Sequence, residues 1–183
     1  MKFPAEHEIV EERLEREGAE LLDGVEQRDV YFAAPHRDFA STDEALRVRR
    51  VDGEAMTTYK GAPGGDDVKA RREIEVGVAD AEAMEGVYEA LGFEPVATVA
   101  KQRRRYRLGE ITVCLDAVED LGDWVELEAT GDDGEANACR DRLQDVADRL
   151  GLDWTDGERR SYLEMLLAGD DREGNGETAE GDD

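Results

Sequence analysis

LRVRR, residues 46–50, sets Arg47 and Arg49 either side of Val48, and the same habit recurs along the chain. REIEV (72–76) places Glu73 and Glu75 around Ile74. KQRRRYR (101–107) carries Lys101, Arg103, Arg105 and Arg107 in step, although Arg104 interrupts the other side. WVELE (124–128) places Glu126 and Glu128 around Leu127, and TTYKG (57–61) puts Thr58 and Lys60 two apart. In a β-strand, residues i and i+2 share a face. Each stretch therefore predicts a strand with one charged face and, for the most part, one apolar face. An ordinary half-buried strand alternates in the same way, with its polar side in water. The set as a whole asks for more: in a very acidic chain, cations gather on a few strand faces near paired carboxylates. A closed sheet with a polar interior accounts for that, because a barrel of about eight strands can enclose a small ligand.

The chain has 183 residues, enough for one domain with a sizeable core. Its 48 Asp+Glu against 23 Lys+Arg give a formal charge of -25, which argues against nucleic-acid binding through a general basic surface. Only Lys2, Lys60, Lys69 and Lys101 are lysine. A strongly acidic, lysine-poor chain fits a salt-loving, haloarchaeal type of cytoplasm, where salt screens self-repulsion. Cys114 and Cys139 form no CxxC pattern and read as reduced thiols. The start, MKFPAEHE, lacks an apolar signal core, and no run is long enough to span a membrane. The expected location is cytoplasmic.

Along the chain, residues 4–18 predict an amphipathic helix stopped by Gly18, and 25–33 a strand. The loop APHRDFASTDE follows, in which His36, Arg37 and Asp38 read as part of a mobile loop with a salt-bridged arginine rather than as a site. Strands are predicted at 45–52 and 55–60 around an Asp52–Gly53 turn. GAPGGDD lacks the GK[ST] ending of a phosphate-cradling loop and reads as a hairpin tip. A strand at 69–78 leads to a helix at 81–91, with Asp80 as its N-cap. Three strands (96–108, 111–118 and 123–130) turn at Gly109 and Gly122, then a helix at 134–150 and a short closing helix, SYLEMLLAG. Residues 1–168 read as one domain and 169–183, without large apolar residues, as a disordered acidic tail. No internal repeat is visible.

Arginines and lysines grouped near carboxylates suit a polyphosphate with a divalent cation. Guanidinium groups grip phosphate oxygens, and carboxylates hold Mg²⁺ or Mn²⁺ through oxygen. Other chemistries lack support: His7 and His36 are the only histidines, and no nucleophile elbow occurs.

QRDVYF, HRDFASTDEALRVRR, TTYKG, RREIEV, KQRRRYR, ITVCLD, LGDWVELE and SYLEMLL, in this order and spacing, resemble the CYTH superfamily of triphosphate tunnel enzymes, in its class IV adenylate cyclase-like branch. The resemblance covers about residues 2–167. It implies an α+β fold: an eight-stranded antiparallel tunnel with flanking helices, binding a nucleoside triphosphate or an inorganic or organic triphosphate with Mg²⁺ or Mn²⁺. By position it implies that Arg47, Arg49, Lys60, Lys101, Arg103 and Arg105 bind the triphosphate. Asp116, Glu126 and Glu128 are implied as metal-binding carboxylates, Glu73 and Glu75 as tunnel-floor acids that bind metal or orient the basic residues, and Lys2 and Lys60 as catalytic. A turn-side acid is the plain alternative for Asp116, and surface charge for Arg105 and Arg107.

The family opens with an E-x-E-x-K strand, of which only Lys2 is present, so the first strand is expected to be cut short and seven others remain. A start called too late is the expectation, and loss of a metal-binding pair the alternative. The implied reaction is conversion of ATP to cyclic AMP and pyrophosphate. The alternatives are a tripolyphosphatase or organic triphosphatase of the thiamine triphosphatase kind, or a non-catalytic binder. The implied state is a monomer or homodimer, with no nucleic-acid or membrane partner.

Overall fold

The structure is a computed structural model that describes residues 1–62, 72–129 and 136–173. Period-two alternation becomes eight antiparallel strands in one sheet, flanked by helices. In chain order they are β1 (Lys2–Pro4), α1 (His7–Arg16), β2 (Glu20–Ala33), α2 (Phe39–Thr42), β3 (Ala45–Val51), β4 (Glu54–Lys60), β5 (Glu73–Val78), α3 (Ala81–Ala90), β6 (Glu94–Leu108), β7 (Ile111–Val118), β8 (Gly122–Ala129), α4 (Ala136–Arg149) and α5 (Tyr162–Glu173). The spatial order is β1-β8-β7-β6-β2-β3-β4-β5. The expected eighth strand is present as a three-residue β1 on β8. The ladder is open: among the described residues β1 and β5, at its two ends, do not pair with each other, so the hydrogen bonding does not close into the expected barrel.

The topology repeats although the residues do not. Apart from the short α2 between β2 and β3, β1-α1-β2-β3-β4 and β5-α3-β6-β7-β8 have the same order of elements. Each half contains a ten-residue helix, α1 or α3. Each helix ends at a glycine with positive φ, Gly18 (72°) or Gly92 (87°). The next amide reaches back past the glycine, Ala19 to the Leu14 carbonyl and Phe93 to that of Tyr88. This is the Schellman closure, which satisfies otherwise orphaned carbonyls and needs a residue that tolerates left-handed backbone. Both helices therefore turn directly into the two long strands, β2 and β6, which pair from Glu20–Arg107 to Ala33–Glu94.

Apolar strand faces are covered in two places. Val10 and Leu14 of α1 and Val146 and Leu150 of α4 pack on Val113, Leu115, Val125 and Leu127. Ala81, Met84 and Tyr88 of α3 pack on Val30, Phe32, Leu46 and Val48. Asp80 caps α3, accepting from the Glu82 and Ala83 amides at 2.9 and 3.1 Å. Val48 and Leu127 are buried as the alternation requires, but Ile74 on β5 is 41% exposed, without the expected cover. The fifth helix packs on the other face of the sheet. Tyr162 and Met165 meet Val99 and Val118, with Tyr31 and Trp124 beside them.

Boundaries moved where alternation is weak. β2 starts at Glu20, not residue 25, because a register shift between Leu21 and Asp23 carries the strand through ELLDG. α1 is shorter than predicted because Pro4 still belongs to β1. α5 runs to Glu173, into the segment expected as a tail. The hairpin-tip reading of residues 63–67, the predicted strand start at 69, the helix start at 134 and tail residues 174–183 lie outside the described residues. No described helix is long and apolar enough to cross a membrane.

Candidate functional site

Cross-strand partners in an antiparallel sheet lie on the same face. The register therefore settles which side chains meet. Lys2 lies opposite Glu126, and Arg103 opposite Asp116. Across the long pair, Asp29 lies opposite Arg49, Arg47 opposite Thr58, Thr58 opposite Glu75, and Lys60 opposite Glu73. All twelve residues singled out in the sequence fall on this one face, with Gln27, Asp29 and Tyr31 among them.

Their charges pair in clusters. Asp116 is fully buried and accepts from Arg103 Nε and Nη2, both at 2.6 Å, from Lys101 Nζ at 3.1 Å and from Tyr162 Oη at 2.8 Å. Burial pushes its carboxyl up, but the Arg103 hydrogen bonds and the Lys101 charge outweigh that and hold it below its ordinary value. Glu126 takes Arg103 Nη2 at 2.6 Å and Lys2 Nζ at 3.1 Å. Burial raises its carboxyl too, and Lys2 and Arg103 bring it down. Glu128, half exposed, stands 3.8 Å from Arg103 Nη1. Lys101 is depressed by burial first and then by Arg103. The Tyr162 ring lies under two ammonium groups, Lys101 at 4.8 Å and Lys2 at 5.3 Å from its centre. Cys114 also faces this cluster, as a free buried thiol pushed up to about 12 chiefly by burial.

The second cluster centres on Asp29, which is 2% exposed. Arg49 reaches it through Nε at 2.7 Å and Nη2 at 2.6 Å. Gln27 donates to it at 3.0 Å and Arg47 at a looser 3.3 Å. Arg47 also touches Tyr31 Oη at 3.4 Å, and its buried Nε has no acceptor among the described residues. The clusters feel each other: burial and then the Asp29 pair dominate at Arg49, whose pKa is raised, and the Arg103 charge opposes that rise. At the β5 edge, Lys60 meets Glu73 at 3.0 Å and Thr58 meets Glu75 at 3.1 Å. Arg105 is about half exposed and pairs with Asp23 near the far end of β6.

The carboxylates expected to hold metal are thus divided. Glu73 and Glu75 lie on the end strand β5, Glu126 and Glu128 on β8, and every acceptor site of Asp116 is directed at a cation or at Tyr162. Among the described residues no three His, Cys, Asp or Glu side chains converge as a metal cage. A protein-only cage is not what Mg²⁺ usually needs: one or two carboxylates plus substrate phosphate oxygens suffice. Glu126 and Glu128 fit that requirement.

Asp29 and Tyr162 are the residues that sequence reasoning passed over. Asp29 had a signal, since Gln27, Asp29 and Tyr31 stand two apart in QRDVY. Tyr162 had none, because it reaches the face from a helix. Arg37 pairs with Glu44 at 3.4 Å and Asp38 caps α2, which makes that loop structural as expected. A cavity of about 720 Å³ opens beside Gln27 and Lys101, at the ends of the β3–β4 and β7–β8 hairpins, but Arg47, Arg49, Arg103 and Asp116 do not line it.

The fold and this face have known counterparts. A putative adenylate cyclase of Methanocaldococcus jannaschii is 35% identical over 166 residues, 90% of this chain and 94% of that one. An adenylate cyclase of Aeromonas hydrophila is 32% identical over 145 residues, 78% of this chain and 73% of its own. The PH1819 protein of Pyrococcus horikoshii superposes with a TM-score of 0.79 at 36% identity, covering 92% of this chain and 97% of that one. A family model described as the CYTH domain matches residues 1–162, and the chain belongs to the CYTH family.

Proposed function

We propose that the charged face binds the triphosphate of ATP together with Mg²⁺ or Mn²⁺, and that the protein converts ATP to cyclic AMP and pyrophosphate. The observation that carries the binding is Arg47. A buried guanidinium whose Nε lacks an acceptor is costly unless a ligand supplies one, and phosphate oxygens do so with charge-assisted bonds. The names of the archaeal and Aeromonas relatives favour the cyclase reading over hydrolysis.

In this reading Arg47, Arg49, Lys60, Lys101, Arg103 and Arg105 grip phosphate oxygens. Arg103 and Arg49 repel each other in the free protein, and an anion between them relieves that repulsion. Glu126 and Glu128 would supply carboxylate oxygens to the cation, while Glu73 and Glu75, on the end strand β5, orient Lys60 and Thr58. A bound divalent cation contributes charge neutralisation at the phosphoryl oxygens. Asp116 takes a different role from the one expected of it: it holds Lys101 and Arg103 in place. The ribose 3′-hydroxyl attacks the α-phosphorus; as the O3′–P bond forms, the bond from the α-phosphorus to the bridging oxygen breaks, and the hydroxyl proton passes through water to the departing pyrophosphate. Lys60 and Lys2, both on this face, are placed to offset the charge that gathers on the departing oxygens.

The deciding experiment incubates the protein with ATP and, separately, with tripolyphosphate, each with Mg²⁺ or Mn²⁺ at high salt. Cyclic AMP and pyrophosphate in equal amounts are the expected products. Orthophosphate from either substrate, without cyclic AMP, makes the protein a triphosphatase. No turnover together with tight binding makes it a non-catalytic binder.

A further inference from the structure

A carboxylate at the heart of an anion site needs an explanation. Asp29 is almost fully buried, lies between Arg47 and Arg49, and subtracts a positive charge where a triphosphate would sit. Simple electrostatics makes it a cost to binding. Its geometry supplies the compensation. Arg49 is held side-on, through Nε and Nη2, by two bonds of 2.6–2.7 Å, a planar two-point arrangement that leaves little freedom to the guanidinium. Gln27 fixes Asp29 from the side at 3.0 Å. With Asp29 occupied chiefly by Arg49, Arg47 is held only loosely and keeps its Nε open.

The second half of the molecule repeats this arrangement with the charges exchanged. Arg103 occupies on β6 the place of Asp29 on β2, and Asp116 on β7 that of Arg49 on β3. There too one carboxylate holds one arginine by two bonds, both at 2.6 Å. Each half of the face thus has one arginine fixed side-on by a buried aspartate.

We propose that Asp29 is a positioning residue for the triphosphate site: it fixes Arg49 side-on, and so leaves Arg47 free to take phosphate. This rests on the phosphate-binding reading given above. The positioning role makes a prediction opposite in sign to that of a mere charge balancer. Removing a negative charge from an anion site strengthens binding if charge alone matters, and weakens it if the charge was holding the arginines in place.

The test is calorimetric titration of sodium tripolyphosphate into metal-free protein at fixed salt. Asp29→Asn is expected to weaken binding about tenfold or more, the scale of one charge-assisted hydrogen bond. In an Arg49→Ala background the same change is no longer expected to weaken binding, because Asp29 acts through Arg49. Where Asp29→Asn does not fold, Asp29→Glu decides: it keeps the charge but moves the carboxylate by one methylene, and a several-fold loss is expected. Wild-type affinity or better in whichever variant decides overturns the proposal, as does an undiminished effect without Arg49. Wild-type protein that takes up no tripolyphosphate overturns the reading of the whole face, and this proposal with it.

Discussion

At the scale of single residues, the two buried aspartates and the loosely held Arg47 predict different failures. Asp116 is fully enclosed and balances Lys101 and Arg103. Asp116→Asn takes the carboxylate from buried Lys101 and leaves Arg103 to Glu126, and breaking a buried pair in this way typically costs about 3–5 kcal/mol. Urea unfolding should show this as a lower midpoint with an unchanged slope. The pH dependence follows from the direction of its shift. Its carboxyl is lower in the folded state than in the unfolded chain, so its contribution is complete above the unfolded value, about 3.9. Stability then drains away as acid takes the pH down towards the folded value, and Asp116→Asn should lack that part of the acid transition. Arg47 behaves in the opposite way. Among the described residues its side-chain partners stand at 3.3 and 3.4 Å, so Arg47→Ala should cost little in the urea midpoint. It should weaken tripolyphosphate binding by roughly tenfold or more. Unchanged affinity in calorimetry would remove Arg47 from the site.

At the scale of elements, the strands were legible because a charged face enforces period two and a one-residue slip would bury every charge. That is why β3, β4, β7 and β8 emerged almost at their observed limits, and why the register of Arg47, Arg49, Arg103 and Glu126 on one face could be anticipated. ELLDG does not alternate, so the first part of β2 was missed. The topological repeat was invisible because equivalent positions carry opposite charges, Asp29 against Arg103. The placement of α5 on the charged face was invisible for another reason: its apolar residues say that it is covered, not by what. This helix begins with a reciprocal cap. Ser161 N donates to Glu164 Oε2 at 2.5 Å, and Glu164 N donates to Ser161 Oγ at 3.1 Å. Such a box is worth about 1 kcal/mol at its N-cap. Ser161→Ala should therefore speed hydrogen exchange in α5 while the amides of β6 and β7 keep their protection. Equal loosening of sheet and helix would show that α5 does not open as a separate unit.

For the whole molecule the governing quantity is charge. Acids exceed bases by 25, yet Lys2, Lys60 and Lys101, three of the four lysines, stand on the charged face. The remaining surface is left to carboxylates, with arginines that are mostly engaged by them, such as Arg149 with Glu17 and Arg142 with Glu110. Net repulsion among exposed carboxylates opposes compaction, and salt weakens it: the screening length falls from about 10 Å at 0.1 M to about 3 Å at 1 M. Buried pairs such as Arg103–Asp116 are screened much less. Salt should therefore remove more repulsion than attraction. The melting temperature is expected to climb from 0.1 to 2 M KCl, most steeply at the low end where the screening length changes fastest. Sodium sulfate, which also strengthens apolar burial, should raise it further at equal ionic strength. A melting temperature that stays flat or falls in KCl would mean that the surface ion pairs, not the excess of acid, dominate the electrostatics of this fold.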